Sequence, residues 1–117
     1  MSYDYMLAKG EVSGGMEGFS ESASANTLGP VEPIKAVLSN LFPSLTWKFS
    51  DTKTPNEFAV SSWFGCLGPP EFHLMVEPSG EVRVINMSHC ERGEVQQVAR
   101  ALGLVALDMQ STEVFGG

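Results

Sequence analysis

The sequence predicts an α+β fold built on a single antiparallel-rich sheet, and three observations carry that prediction. Two stretches, "PVEPIKAVLSNLFP" and "ERGEVQQVARAL", place apolar residues at the spacing of one helix face. Short runs of strand character separated by turn residues fill the chain between them. At 117 residues the chain has room for one hydrophobic core and not two. The expected order over residues 1–117 is strand, helix, four strands, helix, strand, with both helices on one sheet face.

The first strand spans Ser2 to Lys9, where Tyr3, Tyr5 and Leu7 alternate with Asp4, Met6 and Ala8. Residues 10–30, "GEVSGGMEGFSESASANTLGP", show no sustained period and are expected to form a long mobile loop; such loops usually carry function or move. In the first helix Ile34, Val37, Leu38 and Leu41 form the apolar stripe. Pro33 suits its first turn and Pro43 stops it. "LTWKF" sets Leu45, Trp47 and Phe49 on one side, and "EFAVSSWF" sets Phe58, Val60 and Phe64 opposite Trp63.

"EFHLMVEPSGEVRVINM" reads as a hairpin across Pro78-Ser79-Gly80. With Glu77 opposite Glu81, Val76 meets Val82, Leu74 meets Val84 and Phe72 meets Asn86. That straight register sends Phe72, Leu74, Val76, Val82 and Val84 to the core. It leaves Trp63, His73, Met75, Arg83, Ile85 and Met87 on a second face too apolar to be purely solvated. That face is a candidate partner or homodimer surface, unless the 10–30 segment covers it. The second helix carries Val95, Val98, Ala99 and Leu102; Ser88 and Glu91 are spaced as a capping box, and Gly103 suits its end. "LVALDM" closes the sheet, leaving a short tail.

Composition bounds the function. Fourteen acidic against seven basic residues give a formal charge of −7, which disfavours nucleic acid and favours a basic protein partner. No apolar run has the length of a bilayer span, and Asp4 stands where a signal peptide would carry a base, so cytoplasmic residence is expected. The two cysteines fit reduced thiols.

Specific chemistries fare poorly. The glycines of residues 10–30 lack the Lys and Ser/Thr of a P-loop and the offsets of a dinucleotide fingerprint, and Glu11, Glu17 and Glu21 would repel phosphate. Cys66, His73, His89 and Cys90 supply metal-binding atoms, but at no zinc spacing. Cys90 would start a helix beside His89, where a dipole lowers thiol pKa, yet no third orienting group is evident. Glu77 and Glu81 flank a solvated turn. Asp108, after a strand and before "MQST", is expected to accept backbone N–H groups and close a turn. No cofactor or catalytic residue is assigned.

The opening "MSYDYML" and the run "VQQVARALGLVALDMQSTEVF" resemble small bacterial α+β proteins that begin Met-Ser-Tyr-Asp. Some of these resemble immunity proteins encoded beside polymorphic or contact-dependent toxins. The matching residues are Ser2, Tyr3, Asp4, Leu102, Gly103, Leu104, Asp108 and Gln110, within two runs that together cover about a quarter of the chain. The resemblance implies a small non-enzymatic α+β binder; with the acidic charge, the sharper expectation is an immunity-type inhibitor whose surface meets a basic toxin domain. The expected contacts are Glu17 and Glu21 in the 10–30 segment and Trp63, His73 and Met75 on the second face, with Asp108 a further candidate. A small-molecule-binding domain or small enzyme with its site under residues 10–30, and a structural homodimer, are the alternatives.

Overall fold

A computed structural model describes residues 4–10, 15–43, 45–49, 57–61 and 71–116. In chain order the elements are β1 (Asp4–Ala8), α1 (Gly15–Ala25), β2 (Gly29–Pro30), α2 (Val31–Leu41), β3 (Leu45–Phe49), β4 (Glu57–Ser61), β5 (Glu71–Val76), β6 (Glu81–Ser88), α3 (Arg92–Leu102), β7 (Val105–Asp108) and β8 (Val114–Gly116). The described strands form one antiparallel sheet in the order β3-β4-β5-β6-β1-β7-β8, with β2 paired to β6. The fold is α+β. Every expected element is present, and α1, β2 and β8 are added.

One face of the sheet is closed by α2 and α3. Ile34 and Leu38 of α2 and Val95, Val98 and Ala99 of α3 are buried against Leu7, Phe72, Leu74, Val82, Ile85 and Met87. In α2 the Phe42 N–H bonds back to the Leu38 carbonyl at 2.8 Å, and Pro43 prevents continuation. Trp47 of β3 donates its indole N–H to the Ser39 hydroxyl of α2 at 2.9 Å, with the Lys35 ammonium 5.5 Å from its ring centre.

The capping box of α3 falls later than the Ser88–Glu91 spacing suggests. β6 runs to Ser88 and His89, at φ 59°, turns the chain, so Glu91 becomes the cap and its N–H bonds the Glu94 carboxylate at 2.9 Å. Gly103 ends the helix in the left-handed conformation, φ 67°, as its position predicts.

The hairpin is not straight. Val76 does pair with Val82, but Met75 pairs with Val84, Leu74 with Ile85, His73 with Asn86 and Phe72 with Met87. Arg83 is the extra residue of a β-bulge, so Arg83 and Val84 both leave the main core. Beyond the bulge the alternation changes phase. Ile85 and Met87, expected on the second face, are fully buried under the helices, and Val84, expected in the core, faces the other way. The reason lies across the sheet: β1 sets Leu7 against Ile85 and Tyr5 against Met87, and those four side chains share the core.

Residues 10–30 are not one long loop. Positions 15–25 form α1, and Gly29 and Pro30 form β2 against Val82 and Glu81. Phe19 and Ala23, four residues apart, turn one side of α1 onto the second sheet face, where they are buried with Ala8, Val105, Leu107 and Val114. Gly10 allows this approach, because a Cβ there would lie 3.2 Å from that of Ser22. Helices therefore cover both faces rather than one. Among the described residues no helix is long and apolar enough to cross a membrane.

Candidate functional site

α1 covers only part of its face. It lies over β6, β1, β7 and β8, and no described helix covers the surface toward β5. Two adjoining hollows mark the boundary. One, of about 380 Å³, is lined by Asp4, Met6, His73, Asn86, Ser88 and Met109, with Tyr5 behind them. The other, of about 360 Å³, lies at the flank of α1 between Phe19, Ser20, Ala23, Arg83, Val84 and Leu107. Met6 and Met109 line both, so the hollows form one groove.

Strand register explains the lining. Asp4 pairs with Ser88, which pairs with Glu71; Met6 pairs with Asn86, which pairs with His73. In β5 Phe72, Leu74 and Val76 are buried, so Glu71, His73 and Met75 take the groove face. One end of the groove thus carries Asp4 and Glu71 around polar Ser88; Met6 and Met109 run through both hollows, beside His73 and Asn86 in one and Phe19, Arg83, Val84 and Leu107 in the other. Met75 and Met109, 39% and 48% exposed, are the exposed large apolar side chains among the described residues.

The bulge sets the far wall. Arg83 donates from Nη1 to the Ala23 carbonyl at 2.9 Å and from Nε to the Glu77 carboxylate. A guanidinium on the last turn of α1 complements the helix dipole and ties that helix to the hairpin.

Asp108 acts as its position predicts. Its carboxylate accepts the N–H groups of Gln110 at 2.9 Å and Ser111 at 3.3 Å. Burial alone would raise its pKa. The bonds from Gln110 and Ser111, with the Arg92 guanidinium, outweigh burial and hold it below the usual carboxylate value. Asp108 is not in the groove, but the turn it organises carries Met109, whose N–H is anchored 3.1 Å from the Asp4 carbonyl.

The other sequence candidates divide. His73 lies in the groove and Met75 on the same face. Glu17 and Glu21 are exposed on the side of α1 away from Phe19, so they do not join His73 and Met75. Trp63 and Cys66 lie outside the described residues. Cys90 is buried in the main core and donates to the Ser88 carbonyl at 3.3 Å. Burial first, then the Glu94 carboxylate, push its thiol up to about 12, the reverse of an activated nucleophile. Among the described residues no three metal-ligating side chains come together.

Sequence reasoning missed Met6, Asn86, Ser88 and Met109 as groove residues. The alternation of β1 does place Met6 beside Asp4, and that was the available signal. The chain matches no family model, no curated protein and no solved structure, so the functional reading rests on the groove itself.

Proposed function

We propose that the protein is a non-enzymatic binding module that docks a basic protein partner in the groove beside α1. In its sharper form it is an immunity-type inhibitor that occludes a toxin domain. One observation carries the reading: Met109 stands exposed in the groove with Asp4, and Met75 stands exposed on the same side of β5 as Glu71 and His73. Methionine adapts its shape to a partner at small cost, and flexible methionine surfaces serve protein recognition. The charge of −7 steers a basic partner toward the encounter.

The test is a pull-down at low and moderate salt with wild type and a Met75→Glu/Met109→Glu double variant. A basic protein recovered in stoichiometric amount by wild type, weakened by salt and lost with the variant, supports docking at the groove. Equal recovery by both proteins places the docking surface elsewhere. A second reading, a small-molecule site, draws on a hollow of about 360 Å³ at the flank of α1, within the size range of ligand pockets. Protection of α1 from proteolysis by metabolite fractions, but not by protein, would favour it.

A further inference from the structure

Resting on the docking reading above, we infer that the groove takes one amphipathic helix, apolar on one side and lysine- or arginine-rich on the other, lying alongside α1. The sheet itself supplies the first reason. On one face α2 and α3 lie in contact, two helices side by side over the strands. Among the described residues the opposite face carries one helix, α1, over Ala8, Val105, Leu107 and Val114, with Met6 and Val84 at the margin of that cluster. The remaining strip, over Asn86, His73 and Met75, is what a second helix would cover if this face were closed like the other.

The wall that α1 offers to this strip is low. Ser20 and Ala23, both small, line the hollow at its flank. Small side chains let a neighbouring helix approach to the usual 8–10 Å between axes. The floor then supplies the anchors: Met6 and Met109, shared by both hollows, with Met75 exposed two residues along β5 from His73, suited to a helix presenting large apolar groups at i, i+3, i+4 and i+7.

Charge fixes the other side of the helix. Asp4 and Glu71 flank Ser88 at the open end. At the closed end, the Arg83 guanidinium is engaged by Glu77 and the Ala23 carbonyl. The field over the groove is therefore that of an acidic chain, and an acidic occupant, including a second copy of this one, meets like charge.

The experiment uses the full chain and three fluorescein-labelled peptides of about 18 residues, long enough to cross the sheet as a helix. The first places leucine at helical spacing with lysine elsewhere. The second has the same composition in strict alternation, the pattern of a strand. The third keeps the helical pattern with glutamate for lysine. Anisotropy gives the affinities, and amide chemical shifts give the location.

The expected result is at least tenfold tighter binding of the helical leucine–lysine peptide than of either other peptide. Shifts should gather at Met6, His73, Asn86 and Met109. Met109→Glu, at an exposed position that leaves folding intact, should weaken binding at least tenfold. Glu17→Gln/Glu21→Gln, on the outer side of α1, should change it less than twofold. Equal binding of the alternating peptide, or shifts scattered away from the groove, overturns the helix. If the helix fails while the Met75→Glu/Met109→Glu variant still loses its partner, the docking reading stands alone. If that variant loses nothing, both fall.

Discussion

Whether β6 carries a bulge at Arg83 can be decided by comparing two alanine substitutions. Ile85 is fully buried among Leu7, Leu74 and the α3 side chains, whereas Val84 faces α1 and is half-buried. Ile85→Ala removes three carbons from a closed site, about 2.4 kcal/mol of transfer free energy at roughly 0.8 kcal/mol per methylene. The cavity left behind raises the cost into the range of about 2–5 kcal/mol. Val84→Ala removes two carbons from a half-covered site, about 1 kcal/mol by the same measure. Urea unfolding followed by circular dichroism reads the difference. With a slope of roughly 1–3 kcal/mol per molar urea, a loss of about 3 kcal/mol moves the midpoint down by roughly 1–3 M. Met87→Ala should resemble Ile85→Ala, since Met87 is buried in the same cluster. A straight ladder reverses the order: Val84 would then be the costly position and Ile85 and Met87 the tolerant ones. That reversal, found experimentally, would refute the bulge and the groove wall that depends on it.

Other perturbations separate the parts of the molecule. Arg83→Met keeps the aliphatic stem but removes the bond to the Ala23 carbonyl; with that side chain a third exposed, the loss is about 1 kcal/mol. It should appear as roughly fivefold faster amide exchange in α1, with β5 and β6 unchanged. In a Cys66→Ser background, the Cys90 thiol should resist an aromatic disulfide reagent until urea unfolds the protein. Since its pKa rises from 9.0 to about 12 on folding, its contribution is complete below pH 9.0 and is lost as pH climbs toward 12. Cys90→Ala should flatten that alkaline decline. Asp108 has the opposite sign. Its folded pKa is depressed, so its contribution is present above the unfolded value of about 3.9 and lost as pH falls through the folded one. Asp108→Ala should cost about 1 kcal/mol at neutral pH, and Asp108→Asn should reduce the acid slope of the urea midpoint.

The legible parts of the fold are those where pattern and packing agree. The stripe Ile34, Leu38 and the stripe Val95, Val98, Ala99 face the core because few polar side chains compete for that side. The Asp108 turn could be read because a short carboxylate beside free N–H groups has few other uses. α1 was hidden by its composition. Gly15, Gly18 and three serines are weak helix formers, and a helix of 11 residues is marginal without tertiary packing. Its only signal was Phe19 with Ala23 four residues on. The bulge did leave a trace: the apolar phase of β6 runs through Val82 and Val84, then shifts to Ile85 and Met87. Two adjacent apolar residues in an alternating strand are where an extra residue is accommodated. The groove could not be found first, because its floor comes from β1, β5, β6 and the turn after β7, joined only by the sheet order.

The unequal closure of the two faces has a consequence for α1. α2 and α3 support each other across the main core, whereas α1 stands alone on its face among the described helices, held by Phe19, Ala23 and the Arg83 clasp. It should be the first helix to detach, and it also forms a wall of the groove. An occupant that needs the wall binds only the docked state, so it stabilises α1 by up to about 2.7 kcal/mol at a concentration one hundred times its Kd. Affinity is the weaker readout. If α1 is docked with about 2 kcal/mol or more, losing 1 kcal/mol to Arg83→Met still leaves most molecules docked, and Kd changes less than twofold. Exchange within α1 is the sharper readout. A saturating helical peptide should slow it roughly a hundredfold in wild type and by a similar factor in Arg83→Met. Exchange that stays unchanged while the peptide is bound would remove α1 from the site, and the occupant would have to rest on the hollow lined by Asp4, Met6, His73, Asn86 and Met109.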